Sequence, residues 1–447
     1  MRRAMVTVCV AITTLAVLPL CLAAPAAAAA PMLTLEQALR TALERNRVYR
    51  MAEADARVAA NNVSLGAAGL LPKADLTGAY NENFNDTRQE RVTAGATTVE
   101  EVDGAKSTAA TAGVGASWTI FEGFSSLAAL ARLRTLEEVS RLRQEQARQD
   151  LAAQVIVGYG DAARQRRTLA ALDSAVDLSR ERVKITEGKY RLGSASKLEM
   201  LQARLDLNSD LSAQLRQRVT LGTAKRTLNR VMARADTADF EVADSIALGS
   251  LPGLPALKQA ALEGNPAFLL AAQGKRLAAI GFREYAGQLF PKLGVSLGYN
   301  YGLSESEVGI VRRNEALGWT YGVNLRFNIF DGFAVNRDYR NLRIISDRAG
   351  LLYEEAKARV EADMAEAHAA YQAGLEVIGL ERDNLQLARE NVAISMERLR
   401  LGTIASLELR VAQENFVAAE TRLVTARFEG KRAETELLRL AARLVPR

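Results

Sequence analysis

The residues from which catalytic sites are usually assembled are scarce in this chain. Its 447 residues include 1 histidine, His368, and 2 cysteines, Cys9 and Cys21. A zinc site needs several nitrogen or thiolate ligands, and a Cys–His nucleophile needs both partners in one place. His368 lies between Ala367 and Ala369 and reads as a helix-surface or packing residue rather than a ligand. Gly113-Val114-Gly115 falls inside an alternating segment and is no phosphate loop. Arg164, Arg166 and Arg167 read as a solvated helix face, because a formal charge of +6 over the whole chain is too small for a nucleic-acid binder. No catalytic residue, metal site or cofactor is therefore expected. The chemistry left to the chain is that of charged and apolar surfaces, and the elements carrying them decide what they do.

Residues 1–30 read as a secretory signal peptide. Arg2 and Arg3 make a positive start, an apolar stretch follows from about Ala4 to Leu22, and the small run Ala26 to Ala30 offers cleavage sites. Both cysteines fall in that segment, so no disulfide is expected in the mature chain. Leu20, just before Cys21, is bulkier than a lipid-attachment box accepts. The full sequence is 49% hydrophobic and 25% charged, which excludes a disordered chain. No later apolar run approaches the roughly 18 residues of a spanning helix. Any membrane span must then be a β-barrel.

The chain repeats itself. Trp118 to Phe124 resembles Phe327 to Phe333 at an offset of 209, and Arg191-Leu192-Gly193-Ser194 matches Arg400-Leu401-Gly402-Thr403 at the same offset. Upstream, Leu71-Pro72-Lys73 pairs with Phe290-Pro291-Lys292 at an offset of 219. The ten-residue difference is expected to be extra loop in the first copy. Two structural repeats follow, 31–250 and 251–447, with the seam near Gly249 to Pro255. Each reads helix, β-hairpin, long helix, turn, long helix. The hairpins fall at about 74–121 and 292–330, and the long helices at about 125–232 and 334–443. The first helix opens on Thr34-Leu35-Glu36-Gln37, which has capping-box spacing, and reads to about Gly69. Its counterpart reads from Leu257 to Gln288.

The hairpin segments alternate with period two. Leu293, Val295, Leu297, Tyr299 and Tyr301 share one face, with Gly294, Ser296, Gly298, Asn300 and Gly302 on the other. Trp319 to Ile329 repeats the pattern, and Leu76, Tyr80, Phe84, Val114, Ala116, Trp118 and Ile120 trace it more faintly in the first copy. Strands of about nine to eleven residues, apolar on one face only, fit an outer-membrane barrel. Four strands cannot close around water, and open edges are not tolerated in lipid, so several chains must share one barrel. The long helices carry two apolar columns: Ile378, Leu385, Val392, Leu399 and Leu380, Leu387, Ile394, Leu401. The first copy repeats them as Leu169, Val176, Val183, Tyr190 and Ala171, Leu178, Ile185, Leu192. Two columns two residues apart face nearly opposite ways, as in the wall of a helical cylinder. Gly158 and Gly160 are expected points of bending.

These features together resemble the TolC family of outer-membrane efflux proteins. The resemblance spans nearly the whole mature chain. It is carried by the duplication, the Leu33 to Leu39 opening, the Pro-Lys before each hairpin, the Phe-Glu/Asp-Gly-Phe exits and the Arg-Leu-Gly-Ser/Thr turns. It implies an α+β membrane protein: a homotrimer whose 12-stranded barrel in outer-membrane lipid continues into a periplasmic helical barrel. It also implies docking to a periplasmic membrane-fusion adaptor and an inner-membrane pump, with the duct passively conducting small molecules. A type I protein-secretion duct is the alternative within the fold, and a barrel-free periplasmic coiled-coil scaffold a remoter one. The adaptor-docking role passes to Arg191, Leu192, Gly193 and Ser194 and to Arg400, Leu401, Gly402 and Thr403. Without the family, the glycines end helices and the Ser or Thr helps start the next. Glu199 and Glu408, equivalent at 209, fall where the family can carry acidic rings, giving six carboxylates in a trimer. The plain alternative is a glutamate favoured near a helix N-terminus. A second acidic position is missing, since Gln202 and Val411 stand there.

Overall fold

The structure, a computed structural model, describes residues 31–93, 95–243 and 246–445. The expected signal segment, with Cys9 and Cys21, lies outside the described residues. The first half contains β1 (Met32–Leu33), α1 (Leu35–Arg45), α2 (Arg47–Asn61), β2 (Lys73–Thr93), β3 (Ala96–Phe121), α3 (Ser125–Arg191) and α4 (Lys197–Val231). The first closes with β4 (Glu241–Val242), and the second contains α5 (Leu254–Gly264), α6 (Pro266–Ala286), β5 (Lys292–Ser306), β6 (Arg313–Arg326), α7 (Ala334–Leu401) and α8 (Ser406–Leu440). The chain is thus α+β, and among the described residues no helix is long and apolar enough to cross a membrane.

Thr34 caps α1 as its spacing predicts: its hydroxyl accepts from Gln37 N at 3.2 Å and Gln37 Oε1 accepts from Thr34 N at 3.1 Å. The helix does not run to Gly69, however. It breaks at Asn46, and its counterpart breaks at Asn265. Each asparagine ends one helix and caps the next, its Oδ1 accepting from Val48 N and Tyr49 N in one case and from Phe268 N in the other. Its Nδ2 donates to the last turn of a distant helix, Asn46 to Val231 O and Asn265 to Leu440 O, both at 2.9 Å. These asparagines therefore join α4 to α2, and α8 to α6, end to end. Pro266 at the first position of α6 is compatible with that start and with no helix interior.

The joined helices flank a continuous α3, whose 67 residues span about 100 Å. Gly158 and Gly160 do not break it. They let neighbours approach: a Cβ there would lie 3.4 Å from Leu228 of α4 and from Phe428 of α8. Beside α3 lie α4 and α2 on one flank and α8 and α6 on the other, with α7 beyond α8 and α6. The two columns of α7 consequently meet different fates. Ile378, Leu385, Val392 and Leu399 are buried, whereas Leu380, Leu387, Ile394 and Leu401 are 60–70% exposed. On α3 the equivalent Leu178 and Ile185 pack beneath α7 and α8, against Met396, Leu399 and Leu409.

The four strands form one antiparallel sheet in the order β2-β3-β5-β6, leaving β2 and β6 as edges. The strands hold 21, 26, 15 and 14 residues, longer than the nine to eleven expected. The ten extra residues of the first copy are lengthened strand, because β2 and β3 stay paired out to Thr93 and Ala96. Phe327 to Ile329, read as strand, lie past the end of β6. Each hairpin passes into its long helix through two left-handed residues, Gly123-Phe124 and Gly332-Phe333. Phe124 packs edge-on against Phe121, and Phe333 against Phe330, with ring centroids 5.5 Å apart in both.

The asparagine joints give a direct test. Asn265→Ala removes a cap and leaves the buried Leu440 carbonyl unpaired, and should cost about 1–2 kcal/mol. Asn265→Asp keeps the cap but loses the donor, and should fall between. Thermal unfolding of the extracted protein should rank native above Asp above Ala; equal midpoints would remove the joint.

Candidate conducting path and docking tips

The turn between α3 and α4 is built by Gly193 at φ +76° and that between α7 and α8 by Gly402 at φ +78°. Gly193 N donates to Tyr190 O and Ser194 N to Lys189 O; Gly402 N and Thr403 N repeat this on Leu399 O and Arg398 O, all at 2.9–3.1 Å. That double bond pattern terminates a helix on a left-handed glycine. Contrary to the sequence expectation, the Ser194 and Thr403 hydroxyls do not start the next helix. They donate backward, to Lys189 O and Arg398 O at 3.1 Å. The N-cap of α4 is Ser196 and that of α8 is Ala405.

The rest of each tip faces outward. Leu192 is 85% exposed and Leu401 70%, an unfavourable setting for side chains worth about 1.5–3 kcal/mol each on burial. Among the described residues Arg191 reaches only Glu187 of its own helix, at 3.8 Å, whereas Arg400 spans to Glu181 of α3 and Glu397 at 3.8 and 3.7 Å. The structure also separates the equivalent glutamates. Glu199 closes a capping box, its carboxylate accepting from Ser196 N at 3.1 Å. Glu408 stands exposed in the first turn of α8, where Ala405 has no side chain to share in capping.

A buried polar cluster behind the tips escapes the sequence pattern. Arg410 of α8 holds both oxygens of Asp210 of α4, at 2.9 and 2.8 Å, and Ser179 of α3 donates to the same carboxylate at 2.5 Å. Burial pushes the Arg410 guanidinium down, but the Asp210 carboxylate outweighs it and holds the group above its ordinary range. Arg182, 1% exposed, reaches Asp206 of α4 at 2.7 Å. Further along, Glu420 of α8 bridges Arg167 of α3 and Arg389 of α7 at 3.0 and 3.1 Å. Removing one member of such a pair strands a buried charge, so these contacts fix how α8 sits on α3 and α4. The positions equivalent to Ser179, Arg182, Asp206 and Asp210 are Ala388, Asn391, Asn415 and Ala419. That mismatch between copies is the available signal.

The sheet keeps its two faces apart. Leu293 to Leu303 on β5 and Leu317 to Leu325 on β6 place Leu, Val, Tyr and Trp on one face. Charge returns on that face at Glu82 paired with Lys106, and at Glu315, which accepts from the Tyr301 hydroxyl at 3.0 Å. The apolar belt is therefore nine residues long on β6 and eleven on β5, the height of a lipid core, although the strands run further. The opposite face is lined by Gly, Ala, Ser, Thr and Asn over most of its length.

A sequence model of outer membrane efflux proteins matches residues 38–234 and 257–443. The outer membrane efflux protein BepC of Brucella suis is 21% identical over 412 residues, covering 92% of this chain and 86% of that protein. The outer-membrane channel OprN superposes with a TM-score of 0.74 at 19% identity, over 91% of this chain and 89% of that one. The outer membrane protein VceC of Vibrio cholerae superposes with a TM-score of 0.72 at 16% identity, over 91% and 96%.

Proposed function

Because the chain belongs to the outer membrane efflux protein family and resides in the outer membrane, we propose that three copies close into one exit duct. The duct conducts small molecules passively from a periplasmic adaptor and an inner-membrane pump to the exterior. One observation carries this reading: the chain is unpartnered along the same two flanks in both its sheet and its helices. In the sheet, β2 and β6 each leave a row of backbone groups unpaired. In the helices, α7 exposes Leu380, Leu387, Ile394 and Leu401, while α4 on the far flank exposes Leu198, Leu201, Leu205, Leu215 and Val219. The latter recur at coiled-coil spacing. Side-chain packing inside the chain supplies the template, since α8 covers on α3 what nothing covers on α7. Copies joined flank to flank pair both edges at once, and three give twelve strands.

The tips then project into the periplasm. Their exposed leucines and the Arg191 and Arg400 guanidinia form the adaptor-docking surface. Glu199 and Glu408 border the aperture, with Glu408 carrying most of the effect because the Glu199 carboxylate is engaged in its cap.

Three outcomes are expected. The detergent-extracted protein should have a native mass three times that of the mature chain, and a stable monomer with intact strands would exclude the closed duct. Gly193→Val with Gly402→Val should abolish export in cells that depend on this protein while trimer yield holds. No atom lies within 4 Å of a Cβ at Gly193, and only the flexible Lys189 ammonium, at 3.7 Å, at Gly402. The cost is the left-handed backbone alone, about 1–2 kcal/mol per turn; unchanged export would remove the docking assignment. Finally, Glu199→Gln with Glu408→Gln should lower cation preference and divalent-ion block in planar bilayers. Glu408→Gln alone should give most of the change, since glutamine at 199 still completes a capping box. Identical selectivity would place neither glutamate at the aperture.

A further inference from the structure

The charges on the small-residue face of the sheet are not scattered. Lys73 opens β2, Lys292 opens β5 and Arg326 closes β6, so all three sit at the end of the sheet that meets the long helices. Lys73 lies opposite Ser117, and Lys292 directly opposite Arg326. All three therefore belong to the face that carries Gly, Ser, Thr and Asn, and not to the apolar belt. Beyond them that face carries Asp75 and then no further charge up to Asn85 on β2, Ser107 on β3, Ser304 on β5 and Asn314 on β6.

Two observations show that this cluster is not a by-product of ordinary sheet pairing. Like charges directly opposite on neighbouring strands repel, yet Lys292 and Arg326 occupy such a pair. Nor is the repulsion relieved locally, because Lys73, Lys292 and Arg326 are exposed and make no ion pair or side-chain hydrogen bond among the described residues. Asp75 is the one carboxylate on the same face at this end, and it forms no ion pair with the three cations among the described residues; two others nearby are engaged elsewhere. Glu122 accepts from the Ser126 hydroxyl, and Asp331 accepts from Val335 N at 2.7 Å.

We propose that Lys73, Lys292 and Arg326 form a cationic collar at the junction of barrel and helical tunnel, which attracts the carboxylate or phosphate groups of solutes in transit. This rests on the duct reading. In a closed trimer the three cations per chain repeat three times, against one Asp75 per chain. Rings of fixed charge set which ions a pore favours, and the uncharged lining above the collar offers nothing to compete with it. The attraction is screened by salt over roughly 8 Å at physiological ionic strength, so it is strongest for multivalent anions in dilute electrolyte.

The test uses the intact extracted protein in planar bilayers at low salt, with inorganic tripolyphosphate added to either side. Unmodified protein should be blocked more strongly from the barrel side, where the anion reaches the collar without passing the tips. Lys73→Gln with Lys292→Gln and Arg326→Gln should weaken that block at least about tenfold and move the KCl reversal potential toward cations. Asp75→Asn should move both the other way, and Lys73→Arg with Lys292→Arg should retain the block, which separates charge from folding. A conducting trimer whose block survives the glutamine changes overturns the collar alone. So does a variant that changes only in its binding to vesicles of anionic lipid, since the cations would then face the membrane. An unmodified trimer that passes no current overturns the duct, and the collar with it.

Discussion

Backbone hydrogen bonding at the two open sheet edges is the constraint on which the architecture depends. An unpaired N–H or C=O in hydrocarbon costs several kcal/mol, and each edge strand presents a row of them across the belt. No side chain can repair that. The sheet is fused at both hairpins to long helices through the left-handed Gly123-Phe124 and Gly332-Phe333 pairs, so whatever closes the strands also brings the helices together. The exposed leucines of α4 and α7 lie where that closure would put them. Under the proposed closure a barrel and a tunnel would not be assembled separately, because one set of flanks would serve both.

The duplication explains why a single chain stops short of closure. In its first copy α3 has neighbours on both flanks and β3 has strands on both sides, although β2 and α4 leave the outer flank open. Its second copy is a replica with one flank bare. The close contact between Gly123 and Gly287, where a Cβ would come within 2.4 Å of the Gly287 carbonyl, has no equivalent at Gly332, which meets nothing within 4 Å. The same asymmetry separates Leu178 and Ile185, packed, from Leu387 and Ile394, bare. What the second copy leaves open at these positions, the first copy shows filled.

Period-two faces, seven-residue columns and offsets of 209 are strong signals because each repeats many times, and they make the sheet faces and helix seams legible. Single-residue devices are not. Asn46 sits in a stretch compatible with helix on either side, and its dual role as end, cap and long-range donor depends on Val231 being close, which no local pattern reveals. Asn265 carries one hint, the following Pro266. The lengthened β2–β3 ribbon reads as loop because Thr97, Thr98, Val99 and Val102 alternate too weakly against Glu100 and Glu101. The Asp210–Arg410 cluster joins polar residues of α4 and α8 that a search for hydrophobic repeats passes over.

The difference between strand length and belt length separates what lipid demands from what water permits. Lipid sets the height of the apolar belt, a segment of nine residues on β6 and eleven on β5 with every second side chain on the apolar face. Beyond the belt nothing requires equal lengths, and the first hairpin extends as a ribbon while the second stops. An isolated two-stranded ribbon is marginal in water, and this one is tied by the Asp86 carboxylate accepting from Gly104 N at 2.7 Å and by Arg91 near Glu100. The inner face obeys a different rule. Small residues there come at little cost in sheet stability where the opposite, apolar face is packed by lipid. On that face the charges Lys73, Asp75, Lys292 and Arg326 are confined to the end that meets the long helices, and the stretch beyond them is uncharged.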